Sequence, residues 1–343
     1  MTSRARSRLP VSILDRANAL AGFTEAEALS AVVDRAQRAE LLGFTRFWVA
    51  EHHGVPGIAG STPTVLMADL AARTQTIRIG SGGVMLPNHQ PLVVAEQAAT
   101  LEALFPGRID LGLGRSLGFT PAVRRALRTE KDAAQRFAED LAELIGFLRG
   151  NASFTARPRD DAATPLFVLA TGQGLATAAR AGLAVVVGGP SLFQREGHAT
   201  HPGLDRYRER FRPSPWYAQP YVIASATVAV ADSREAARRL LLPEAWALAR
   251  SRSQGEFRAL ADVDDVVARL HGEGVIGRDR QRVRENLERT VHGTPGQVRA
   301  GVEDLIDFTG ADELLVTGGM SDLEGQRRSD ELVAELFASA PRR

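Results

Sequence analysis

Residues 46–53 read Arg-Phe-Trp-Val-Ala-Glu-His-His. The apolar run Phe47–Ala50 has the length and composition of a strand buried on both faces. It ends abruptly in an acid and two histidines, the side chains best suited to trade protons near neutral pH. Alone, the octapeptide reads as a strand end capped by the hydrogen bonds of a histidine pair. Its surroundings change that reading.

Working outward, seven further apolar runs read as strands: Val11–Leu14, Ile77–Leu86, Ile109–Leu113, Leu166–Ala170, Ala184–Val187, Tyr221–Val230 and Glu313–Thr317. Helical segments separate most of them. Thr24 and Glu27 have capping-box spacing, Leu29, Val32, Val33 and Ala36 then share one face, and Gly43 stands where a helix would end. Thr62-Pro63 is an N-cap and first-turn pair for a helix reaching Arg73. Phe137, Leu141, Leu144, Ile145 and Leu148 form another apolar stripe. Eight short strands alternating with helices predict an α/β fold, a (β/α)8 TIM barrel formed as one domain over residues 1–343. A doubly wound sheet would need Gly-x-Gly-x-x-Gly after its first strand. The nearest approach, Gly112-x-Gly114, follows the fourth strand and lacks the third glycine. Residues 190–219, between strands six and seven, and 251–293, between seven and eight, exceed ordinary connections and read as lids or insertions. Within the second, residues 278–289 read as a solvated charged helix.

The composition excludes several functions. A formal net charge of +1 gives no basic excess for nucleic acid or an anionic membrane. The absence of cysteine removes disulfides, thiol nucleophiles and thiolate metal sites, and suits a reducing cytoplasm. The basic N-terminus, residues 1–8, runs into a strand-like segment instead of a signal-peptide core. With no eighteen-residue apolar run, no membrane span is expected.

On a barrel the strand ends carry the chemistry. The second strand delivers Glu51, His52 and His53, and the third Gly82-Gly83 followed by Asn88 and His89. The fourth delivers Arg115, and the fifth the turn Thr171-Gly172-Gln173-Gly174. Glycines let a flat ligand lie close to backbone. Arg115 and the helix start after Thr171 offer a cation and N–H groups to a phosphate. His52 and His53 are neighbours that a strand points in opposite directions, and no metal site is expected.

Taken in order, Ala50-Glu51-His52-His53, Ser81-Gly82-Gly83-Val84-Met85-Leu86-Pro87-Asn88-His89, Val94-Ala95-Glu96-Gln97, Pro106-Gly107-Arg108 and Leu111-Gly112-Leu113-Gly114-Arg115 closely resemble the bacterial luciferase-like flavin monooxygenases. Weaker correspondence runs from Leu9 to Gly319, including Gly293-Thr294-Pro295-Gly296 and the strand ending at Thr317. The resemblance implies a barrel that takes reduced FMN from a separate flavin reductase and uses O2, through a flavin peroxide, to oxidise a small organic substrate. It implies a non-prolyl cis peptide at Gly82-Gly83, where a glycine pair removes side-chain clashes. His52 matches the histidine nearest the reactive flavin edge, as hydrogen-bond donor or general base. Glu51 is grouped with the cofactor site, while His53 and His89 read as structural. Arg115 matches the arginine that reaches the flavin phosphate, with Leu117 beside it and Arg136 as a looser second candidate. Thr171, Gly172, Gln173 and Gly174 occupy the phosphate turn, departing from the family's Glu-Ser or Ser-Ser.

Two other readings remain open. Some relatives transfer hydride with a deazaflavin coenzyme, and some barrel subunits are non-catalytic scaffolds that lose the histidine and arginine this chain keeps. Small residues in 63–73 and 91–105 (Ala68, Ala71, Ala72, Ala95, Ala98, Ala99) suit a homodimer through those helices, or packing on the barrel's own strands.

Overall fold

Every strand expected from the sequence is present. A computed structural model describes residues 9–118, 120–159, 164–272 and 277–338. The basic residues 1–8, and residues 273–276 of the second long segment, lie outside them. The barrel strands are β1 (Val11–Asp15), β2 (Arg46–Val49), β3 (Arg78–Ser81) with its short continuation β4 (Val84–Met85), β5 (Ile109–Gly114), β6 (Leu166–Leu169), β7 (Ala184–Gly188), β8 (Val222–Val230) and β10 (Glu313–Thr317). All pair in parallel, and β10 closes the ring by pairing with both β1 and β8. The third strand is therefore not continuous over 77–86: Gly82-Gly83 interrupts it, and Leu86–Asn88 is a single 3-10 turn.

The helices are α1 (Glu25–Leu41), α2 (Pro63–Arg73), α3 (Pro91–Leu104), α4 (Pro121–Ala126), α5 (Phe137–Arg149), α6 (Gln173–Ala181), α7 (Pro202–Arg210), α8 (Arg234–Gln254), α9 (Val263–His271), α10 (Gly277–Glu288), α11 (Pro295–Thr309) and α12 (Leu323–Phe337). Thr24 and Glu27 form the capping box in both directions, and Gly43 has a φ of 81° just past α1. Thr62 precedes Pro63 as expected but makes no capping hydrogen bond. Arg35 of α1 is buried between Asp15 (2.9 Å) and Asp330 of α12 (2.8 Å), which fixes the two helices flanking β1 to that strand.

Strands buried on both faces need an apolar filling inside the ring and another beneath the helices. Trp48, Phe167, Ile223 and Leu315 fill the interior, with Trp48 and Phe167 edge to face at 4.9 Å. At the strand starts the filling becomes ionic. Arg46 binds Asp110 at 2.8 Å and Glu313 at 3.1 Å. Trp48 Nε1 donates to Asp110, and the Tyr221 hydroxyl donates to Glu313. This network closes the N-terminal end of the barrel and leaves the other end for a site.

Residues 190–219 contain α7, whose Leu204 and Tyr207 are buried in the outer core. Residues 251–293 contain α9, α10 and a strand not expected from the sequence, β9 (Val291–Gly293), which pairs with Val228–Val230 beyond the ring. Helix α10 is also not simply solvated. Val283 and Leu287 are buried in a second core with Leu241, Trp246 and Val266, because a stripe of two apolar residues and Asp279 faces α8. No helix among the described residues is long and apolar enough to cross a membrane.

Candidate active site at the strand ends

The end of β2 is built around a carboxylate. Glu51 is 3% exposed. Its Oε1 accepts from Asn88 Nδ2 at 3.1 Å and meets His53 Nε2 at 2.9 Å. Its Oε2 accepts the Met85 N–H at 3.0 Å and meets His89 Nε2 at 2.9 Å. Burial alone would raise its pKa, but His89, the Met85 N–H and Asn88 outweigh that and hold it below the usual carboxylate value. Both histidines expected to be structural are thus ligands of one acid. The ligand atoms of Glu51, His53 and His89 lie within 4.8 Å of one another, a juxtaposition the sequence did not reveal because His89 is 38 residues from Glu51. Hydrogen bonds to the carboxylate already account for it.

The Gly82-Gly83 peptide is cis. Backbone and side chain hold it from both sides: Gly82 N–H donates to Val49 O at 2.8 Å, and Ser81 Oγ donates to Gly112 O at 2.8 Å while accepting Gly112 N–H at 3.0 Å. A Cβ on Gly83 would lie 2.8 Å from Gly112 O, and one on Gly82 2.6 Å from Leu14 Cδ1. Only glycines let the third strand bulge this tightly against β1 and β5.

His52 leaves the strand beside this bulge, its N–H donating to Gly60 O at 3.0 Å. Burial, then the Arg16 charge, pushes the imidazole pKa down to about 4, against an opposing pull from Glu51. It is therefore neutral at pH 7. Arg16, just past β1, is ion-paired with Glu244 of α8, whose Oε2 accepts the Gly319 N–H at 2.9 Å. Neither residue was singled out in the sequence. The available signal was an acid within the apolar run of α8, where Leu240 to Ala247 are all buried.

Arg115 follows β5 and is exposed, and its side chain has no ion pair or hydrogen bond within the described residues. Leu117 is half-buried beyond it. Arg136 is exposed at the turn before α5, near Asp140. The turn at Thr171, Gly172 and Gln173 is exposed, at the end of β6, the strand paired with β5. Gly172 has a φ of 56° with open space around it, Gly174 is buried, and no side chain caps the start of α6. An unpartnered guanidinium beside an uncapped helix start fits an anionic phosphate.

On the opposite side of the mouth, a cavity of about 360 Å³ lies over the ends of β7, β8 and β10. Gly188, Ser225, Thr227 and Thr317 form its floor, and α8 and the end of α10 form its walls. Glu244 reaches this cavity, so its ion pair with Arg16 links the cavity wall to the histidine side of the mouth.

Comparison with known proteins agrees with this geometry. The family model of the luciferase-like monooxygenases matches residues 10–313. A luciferase-like monooxygenase of Escherichia coli (strain K12) is 34% identical over 336 residues, covering 95% of this chain and 96% of its own. The N-acetyl-S-alkylcysteine monooxygenase of Bacillus subtilis (strain 168) is 34% identical over 298 residues, covering 81% and 88%. The crystal structure of apo-MsnO8 superposes with a TM-score of 0.86 at 34% identity, covering 98% of this chain and 99% of that one. A family model matched over most of the chain's length and relatives a third identical end to end show that this chain belongs to the luciferase-like monooxygenase family.

Proposed function

We propose that the protein is a flavin-dependent monooxygenase that uses reduced FMN and O2 to oxidise a small organic substrate, with reduced FMN supplied by a separate flavin reductase. The observation that carries this reading is the pairing of unpartnered Arg115 with the uncapped Thr171–Gly174 turn on adjacent strands, in line with the Gly82-Gly83 bulge. The arginine and the turn hold the FMN phosphate, with Leu117 beside them, and the bulge supports the ring. Arg136, exposed at the turn before α5, is a second and outer candidate cation for the same phosphate. When bound, reduced FMN supplies the electrons that activate oxygen. The chain supplies neutral His52, which donates a hydrogen bond or takes a proton at an imidazole nitrogen. Glu51 acts from behind, holding the end of β2 against β4. The segments 190–219 and 251–293 shape the walls around the substrate.

The protein is further proposed to form a homodimer through α2 and α3. Ala71, Ala95 and Ala98 face the barrel, but Val65 (68% exposed) and Leu104 (63% exposed) leave apolar surface on the same two helices. Light scattering should give twice the 36.9 kDa chain mass.

The decisive experiment is anaerobic titration with reduced FMN and with the reduced deazaflavin coenzyme, followed by oxygen uptake with a substrate panel. FMN binding with substrate-dependent oxygen uptake is expected. Binding of the deazaflavin coenzyme alone would replace this reading with hydride transfer. FMN-independent behaviour throughout would favour a scaffold.

A further inference from the structure

We propose that the cavity over β7, β8 and β10 takes an amphipathic organic carboxylate, its charge held by half-buried Arg289 with exposed Arg252 adding positive charge at the other end of the lip, and its apolar body lying between Leu241, Leu248 and Phe193. This assignment deepens the monooxygenase reading, since it names the substrate class of the same mouth. The cavity changes character from floor to lip. Its floor is strand ends carrying glycine and small hydroxyl side chains, its walls are apolar, and its lip carries two arginines, one from each end of the helical roof.

The charge bookkeeping around it singles those two out. Buried Asp279 is matched by Arg250 (2.8 Å) and Arg282 (3.5 Å). Buried Glu244, the one acid lining the cavity, is taken by Arg16 and the Gly319 N–H. Arg252 and Arg289 have no ion pair or side-chain hydrogen bond within the described residues, although Arg289 is half-buried. A half-buried guanidinium with no counter-ion is stabilised when a ligand supplies a carboxylate, which it grips through two parallel N–H···O bonds. The Leu241, Leu248 and Phe193 walls reward an apolar body, so inorganic anions lack half of what the cavity offers.

The test is calorimetric titration of the FMN-saturated protein with matched pairs: hexanoate, octanoate and 3-phenylpropanoate, each against its primary amide. The acids should bind about tenfold or more tightly than the amides. The R252Q/R289Q double variant should lose that preference while keeping the amide affinities and the FMN affinity. Equal binding of acids and amides, a preference that survives in the double variant, or no binding by any acid would overturn the proposal. FMN binding is titrated separately in the same proteins. Its absence alongside an intact acid preference would overturn the flavin reading and leave this one standing.

Discussion

Glu51 Oε2 and the backbone N–H of Met85 are 3.0 Å apart, a hydrogen bond that reaches from the end of β2 over the Gly82-Gly83 bulge to β4. The same carboxylate holds Asn88, His53 and His89. Glu51→Gln keeps the shape but replaces one acceptor oxygen with a donor, so two of these partners lose their acceptor. We expect a loss of about 1–3 kcal/mol in urea unfolding, with weaker FMN binding because the bulge is no longer clamped. Unchanged FMN affinity in a destabilised variant would confine Glu51 to folding.

His52→Asn should fold and bind FMN like the parent while turnover falls about 10²–10⁴-fold, the range for loss of a positioned acid or base. The pH dependence carries a second signature. Folding lowers the imidazole pKa from 6.5 to about 4, so between those values the unfolded chain binds a proton that the folded chain does not. His52 therefore makes stability fall as pH drops through that window. Unfolding measured between pH 4 and 7 should show a shallower slope in His52→Asn.

Arg115→Gln removes an exposed cation with no ion pair, so stability should stay within about 0.5 kcal/mol. FMN affinity should fall about tenfold or more, while riboflavin, which lacks the phosphate, should bind the two proteins equally. Equal loss for both ligands would place Arg115 outside the phosphate site.

At the closed end of the barrel, Arg46→Met leaves Asp110 and Glu313 buried with one cation between them, Arg78 on Asp110. Removing one partner of such a network costs about 3–5 kcal/mol. Denaturant unfolding should show most of that, with FMN affinity unchanged at whatever concentration of denaturant the variant remains folded.

The eight barrel strands were legible because each is a short apolar run on which both faces agree, as in Ala184–Val187, whereas the bulge at Gly82-Gly83 was legible only through the family resemblance, the run 77–86 itself having read as one strand. The capping box at Thr24 is purely local and was equally readable. What escaped depends on distance. Glu51 was grouped with the cofactor site from its place after the strand, and its hold on Met85, Asn88 and His89 appears only once the chain is folded. Val291–Gly293 is too short to register as a strand without the overhanging end of β8. Residues 278–289 are so charged that Val283 and Leu287 did not suggest a buried face, yet two residues one helical turn apart suffice to seat α10 on α8. Arg16 and Glu244 belong to no motif, and their relationship exists only across the barrel mouth.

Strand β8 is nearly twice as long as its neighbours in the ring, and the excess, Val228–Val230, holds β9. At the other end of that excursion, Leu260 is bonded in both directions to the loop after β1, through Ala19 O and the Ala21 N–H. The chain is thus fastened to the barrel at both of these points and seated on α8 between them by Val266, Val283 and Leu287. Its cavity-lining residues Asn286 and Arg289 belong to neither the ring of strands nor the set of Arg115, the glycine bulge and His52. Point substitutions at those two positions can therefore alter what the cavity takes while the cofactor side keeps its own supports.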